Sequence, residues 1–129
     1  MNTPTKERTS AGSEGPMRGL ELARLCAGVL DEKKALEISV LHVEELIGIT
    51  DYFVIASGRS GRHIRAAADE VLRRVREAGV KAVRRETHGR ARWMLLDLGT
   101  VVVHVFEPEA RRFYDLELLW GDAEKVDWR

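Results

Sequence analysis

Cysteine is nearly absent from this chain of 129 residues: Cys26 stands alone. One thiol cannot close an internal disulfide, and without cysteine or histidine partners at ligand spacing it cannot build a structural zinc site. Its place in a helical apolar pattern marks it as a small buried hydrophobe. Long apolar runs are missing too, and nothing approaches the roughly 18 residues of a membrane span. The first residues lack the apolar stretch of a secretory signal, so a cytoplasmic protein is expected. Net charge is also lacking, since 21 Lys+Arg balance 21 Asp+Glu. A chain with zero net charge is a poor indiscriminate binder of nucleic acid. The apolar and charged fractions are those of an ordinary soluble protein, and the length suits one domain that buries a core without disulfides or metals.

The signatures of common chemistries are missing as well. Ser57-Gly58-Arg59-Ser60-Gly61-Arg62 sits where phosphate loops sit, between a strand and a helix. It has neither the Gly-Lys-Ser/Thr ending of a P-loop nor the glycine spacing of a dinucleotide fingerprint, and it reads as a βα turn in which Ser60 caps the helix. His42, His63, His88 and His104 show no zincin spacing. His104, between Val103 and Val105, reads as a hydrogen-bonded core histidine, and His88 as a loop residue. No nucleophile elbow surrounds Ser57 or Ser60. Asp51 and Asp97 lie at opposite ends of different strand runs, and no Gly-Ser followed by Asp-x-Asp accompanies them to hold magnesium. No metal, cofactor or catalytic residue is assigned, and no enzymatic activity is expected.

What is present is patterned. Residues 1–18 are rich in Thr, Ser, Gly and Pro and are expected to form a disordered tail. The folded domain is expected over 19–122, and a loose tail over 123–129. Leu22, Leu25, Cys26, Val29 and Leu30 recur at helical spacing. Leu36, Ile38 and Val40 alternate as in a half-buried strand, and a short helical turn or loop follows at 44–50. Residues 51–57 read as a central strand with both faces covered. Ile64, Ala68, Val71, Val75 and Ala78 form the stripe of a second helix, closed by Gly79. A polar strand is expected over 80–86 and a loop over 87–90. Trp93–Leu98 and Val101–Phe106 read as an apolar hairpin turning at Gly99-Thr100. A last helix opens at Pro108, with Phe113, Leu116, Leu119 and Trp120 facing the sheet and Tyr114 and Glu117 at its rim. The fold class is α/β, an α+β arrangement of about five strands in a mixed sheet, in the order α-β-β-α-β-β-β-α with flanking helices. Strand order does not follow from the pattern.

Charge is segregated along the chain: residues 59–92 hold eleven Lys+Arg against four Asp+Glu, and residues 93–129 hold four against eight. A basic middle between acidic flanks fits a solvated, internally paired surface, or one that sits near phosphates. Trp93 reads equally as core or as an exposed binding anchor.

Two groups of motifs resemble one family. Asp51-Tyr-Phe-Val-Ile-Ala-Ser-Gly58, Arg62-His63 and Ala68-Asp69 make the first; Trp93-Met-Leu-Leu-Asp97-Leu-Gly99, Val101-Val-Val-His-Val-Phe106 and Arg112-Phe-Tyr114-Asp-Leu-Glu117-Leu-Leu-Trp120 make the second. In this order and spacing they resemble the ribosomal silencing factor (RsfS/Iojap) family, from about Leu20 to Asp122. The resemblance implies a nucleotidyltransferase-related fold without the catalytic carboxylates. It implies binding to protein fourteen of the large ribosomal subunit, obstruction of joining to the small subunit, repression of translation, and a role in large-subunit biogenesis. It also implies a homodimer when free. The family's recognition surface falls on Trp93, Asp97, Tyr114 and Glu117, with Met94, Arg112 and Leu116 as neighbours. Trp93 would be a rigid apolar anchor, Met94 an adaptable one, and Asp97 and Glu117 partners for basic groups. Ribosomal RNA would meet the Arg59–Arg92 region. Gly99-Thr100 replaces the family's common Gly-Asp, which removes one charge. A nucleotide-binding enzyme of the nucleotidyltransferase kind and an RNA-binding module using Arg59, Arg62, Arg65, Arg73 and Arg76 are the alternatives.

Overall fold

The computed structural model describes residues 17–43, 50–89, 92–119 and 121–129, except the side chain of Leu119. Of the expected tail over residues 1–18, residues 1–16 lie outside the described residues, while Met17 packs against the main core and is no loose tail. Residues 44–49 of the turn expected over 44–50 and the side chains of Leu119 and Trp120 also lie outside what is described.

The first helix, α1 (Gly19–Glu32), buries Leu22, Ala23, Cys26, Ala27, Val29 and Leu30 along one side. Strands β1 (Leu36–His42) and β2 (Tyr52–Ser57) pair antiparallel, with an irregularity between Leu36 and Ser39 where Glu37 takes a positive φ of 50°. The second helix, α2 (Gly61–Glu77), starts where the Ser60 hydroxyl accepts the His63 N–H at 3.1 Å. It ends where Gly79, at φ 88°, lets the Val80 N–H reach the Val75 carbonyl. Its stripe of Ile64, Ala68, Val71 and Val75 is buried.

Strands β3 (Arg84–His88), β4 (Trp93–Asp97) and β5 (Val101–Phe106) form an antiparallel meander, and β5 then lies parallel to β2. Two short helices follow, α3 (Pro108–Tyr114) and α4 (Leu116–Leu119), then β6 (Glu124–Val126). Among the described residues the sheet has six strands in the order β3-β4-β5-β2-β1-β6. The polar strand starts later than expected, because residues 81–83 run as a connection before Arg84 pairs with Asp97. Residues 124–126 are no loose tail, since they hydrogen-bond to the β1 edge through Val40↔Val126.

The sheet has two unlike faces because strand side chains alternate. Val40, Val54, Ala56, Met94, Leu96, Val101, Val103 and Val105 point towards α1 and α2 and form the main core with them. Leu41, Phe53, Ile55 and Phe106 belong to a second, smaller cluster on the other face, with Trp93 and Val102 at its margin. The alternation overturns the reading of Met94 as a partner contact: it is 0% exposed and sits on the helix-covered face, opposite Trp93. Leu95 lies half-buried on the open side.

A candidate docking face at the Trp93 end of the sheet

The face opposite α1 and α2 is covered only in part. Ala110 and Leu116 pack onto Leu41, Val43, Phe53, Ile55 and Phe106. Beyond them, a depression of about 370 Å³ runs over Leu95, Asp97, Val102 and His104, bounded by Phe53, Val83 and Arg84.

Trp93 is the centre of an aromatic group. Its ring stacks on Phe106 with centroids 5.0 Å apart, and it meets Tyr114 at 4.7 Å and His88 at 4.8 Å. Its Nε1–H donates to Nδ1 of His104 at 3.2 Å. This bond makes Nδ1 the acceptor, so the neutral ring carries its proton on Nε2. Burial pushes the His104 pKa down to about 3, which keeps the ring neutral. Nε2 is buried and has no hydrogen-bond partner. His104 is thus a core histidine satisfied at one nitrogen, with Phe53 edge-on at 4.8 Å. Trp93 is neither free knob nor full core: it is half-buried and clamped by its neighbours. His88 is not a loop residue; it ends β3 and lies 3.0 Å from Glu86.

The last helix departs from expectation. It breaks at Asp115, which takes a left-handed φ of 46°, so Tyr114 and Glu117 lie on separate helices. The phase is also rotated. Ala110 and Arg111 are buried, while Phe113, expected to face the sheet, is 80% exposed. Tyr114 and Leu118, at 47% and 76%, are exposed with it.

Arg111 carries the most consequential contact that the sequence reading missed. Its guanidinium forks onto Glu117 at 3.0 and 2.8 Å and donates to the Ser57 hydroxyl at 2.9 Å. Ser39 adds a bond to Glu117 at 3.3 Å. The Arg111 hydrogen bond holds the Glu117 carboxyl below its usual range, against the upward push of partial burial. Glu117 therefore spends its charge inside the molecule first. No residue-type signal separates Arg111 from its exposed neighbour Arg112.

Asp97 is half-buried. One carboxylate oxygen accepts the Gly99 N–H at 2.9 Å, and the other lies 3.8 Å from Arg84. Gly99 has φ 91°, which fits the glycine-first hairpin turn expected there. Thr100 does more than remove a charge: its hydroxyl accepts the Gly19 N–H at 3.0 Å and ties the start of α1 to the hairpin. The structure thus brings Trp93, Tyr114 and their aromatic neighbours together, with Asp97 further along β4 and Arg112 exposed on α3. Among the described residues no three His, Cys, Asp or Glu side chains cluster as a metal site would require. The chemistry available here is that of contact: exposed rings, an open apolar sheet and a few charges.

Residues 16–129 match the family described as "Ribosomal silencing factor during starvation" (RsfS). The chain belongs to the RsfS family. An RsfS protein of Halalkalibacterium halodurans is 40% identical over 111 residues, spanning 86% of this chain and 95% of that one. A more distant relative, from Mus musculus, is named "Mitochondrial assembly of ribosomal large subunit protein 1"; it is 32% identical across 74% of this chain and 43% of its own length. A crystal structure of a Chromobacterium violaceum protein superposes with a TM-score of 0.78 at 36% identity, covering 86% of this chain and 92% of that one. The RsfS fold, with its mixed sheet and flanking helices, is therefore the fold of this chain. No helix among the described residues is long and apolar enough to cross a membrane.

Proposed function

We propose that this chain is a cytoplasmic silencing factor rather than an enzyme, and that it docks on the large ribosomal subunit. It does so through protein fourteen of that subunit, obstructs joining to the small subunit and so represses translation. A role in large-subunit biogenesis fits the same docking, in line with the name of the mouse relative. One observation carries the reading: exposed Phe113 and Tyr114 stand beside a clamped Trp93, next to an incompletely covered sheet face. Large exposed apolar groups gathered in one place mark protein-binding surfaces. Trp93, Tyr114 and Leu116 supply the apolar part of the contact, and Asp97, Arg112 and Glu117 its polar border. A homodimer of the free protein takes the same face.

Ribosomal RNA has a separate surface to meet. On α2, Arg73, Arg74 and Arg85 opposite them are paired with Glu70, Glu77, Glu32 and Asp69. Arg62, Arg65 and Arg76 are exposed and have no carboxylate partner among the described residues. On α2 these three are the cations left for phosphate contact among the described residues.

The test is direct. Purified protein added to separated subunits lowers the joined fraction, and it pulls down isolated large subunits. Phe113→Ser, at a side chain that supports no core, keeps the fold and weakens this binding by about 1–2 kcal/mol. Protein that fails to bind large subunits, or that binds them without affecting joining, overturns the proposal.

A further inference from the structure

Between the β3–β4 hairpin and α3 lies a cleft of about 360 Å³ with a chemistry of its own. Trp93, Tyr114 and Phe113 line it, together with His88, Arg92 and Glu109. The three rings form a corner: Tyr114 is tilted 45° to Trp93, and Phe113 stands at 89° to Tyr114, 5.1 Å away. Ring faces and ring edges are therefore both turned on the space. A cleft of this size takes one side chain, not a helix.

Its charges are not neutral in effect. The Arg92 guanidinium is held by Glu107 at 2.9 Å, and the His88 ring lies 3.0 Å from the Glu86 carboxylate. Glu109, exposed in the first turn of α3, has no hydrogen-bond or ion-pair partner among the described residues. Arg92 balances Glu107, and Arg84, 2.9 Å from Glu86, balances that carboxylate, so among the described residues the Glu109 carboxylate is left over beside three aromatic rings. Aromatic faces attract cations, and a planar guanidinium stacks on them while it also reaches a carboxylate. An apolar side chain would leave Glu109 unanswered at the contact, and a phosphate would be repelled by it.

We infer that this cleft receives a basic side chain, arginine before lysine, from the surface of the protein on which the chain docks. The inference rests on the docking proposed above and adds the identity of the group that enters. Trp93 acts as a wall of the receiving site rather than as an inserted anchor, and Glu109 sets the sign of what enters.

The probes are N-acetyl-arginine methylamide, its lysine counterpart and N-acetyl-leucine methylamide, titrated into the isotope-labelled full chain while the Trp93 indole N–H resonance is followed. The arginine amide shifts it saturably, the lysine amide less, and the leucine amide not at all. Glu109→Gln weakens the arginine response about threefold, the size of an exposed ion pair. On isolated large subunits, Glu109→Gln and Tyr114→Leu each bind about threefold to tenfold more weakly than wild type, most clearly at low salt. If the wild type binds large subunits, both variants bind equally well, and Trp93 ignores the arginine amide, the inference is overturned and the docking survives. If the arginine amide acts as described but no large subunit is bound, the docking fails and the preference of the cleft for a basic side chain stands.

Discussion

Arg111 and Arg112 are adjacent in sequence and opposite in environment. The first is buried in a network with Glu117, Ser57 and Ser39; the second is exposed. Removing one member of a mostly buried pair leaves the other charge desolvated and alone. Arg111→Met is expected to lower stability by about 2–3 kcal/mol in denaturant unfolding, with part of the loss recovered in the double variant Arg111→Met, Glu117→Leu. The Glu117 pKa is lowered, so its contribution is complete above the usual carboxylate range and is lost as pH falls through the folded-state value. His104 acts over a different window. Its folded-state pKa of about 3 lies below the ordinary 6.5, so between those values the unfolded chain binds a proton that the folded chain does not. Stability is full above about pH 6.5 and declines below it by up to about 1.4 kcal/mol per pH unit. His104→Gln, whose amide oxygen can still accept the Trp93 N–H, should flatten this part of a stability–pH profile. Placement of single residues was legible where an apolar pattern carried it, as for Cys26, His104 and the α2 stripe. It failed at Met94, because a strand's two faces cannot be told apart when both sides of the sequence are apolar. It failed at Arg111 and Phe113 because the larger hydrophobe drew the inferred helix phase one step away from the true one.

The elements with chemical punctuation at their ends were the readable ones. Ser60 and Gly79 bound α2 as expected, and Gly99 opens the hairpin. A methyl group at a positive φ is strained, so Gly79→Ala is expected to cost about 1 kcal/mol and to lower the thermal midpoint by several degrees in a scan. The break at Asp115 was not readable, since it lacks the glycine that usually marks a left-handed residue. Nor was β6: Glu124-Lys125-Val126 shows no alternation worth the name, and it is a strand because β1 offers an edge to pair with. Sheet order lay beyond the pattern for the same reason, since the parallel pairing of β2 with β5 depends on contacts far apart in the chain.

At the scale of the molecule, two stacked layers leave one side of a sheet unfinished, and the docking proposed above would give that unfinished side its use. The composition and motif arguments reached an α/β chain with no evident catalytic site, and the family resemblance named Trp93 and Tyr114; that Phe113 joins them became visible only once helix phase and strand register were placed. A nucleotide-binding enzyme would be stabilised by its ligand, so a thermal-shift titration with ATP or CTP and magnesium is expected to show no saturable rise in midpoint. A clear rise would favour the enzyme reading.

The two borders of the sheet have a consequence for self-association. One ends in β6, three residues long; the other ends in β3, Arg84 to His88, five residues dense in charge. Short, charged border strands are poor templates for another strand. A second copy of this chain is thereby steered away from lengthening the sheet and towards its bare side, where the large subunit is proposed to sit. A homodimer on that side, as proposed above, would exclude the ribosome-bound monomer, and the concentration of the protein, not only its affinity, would then set how much of it is free to dock.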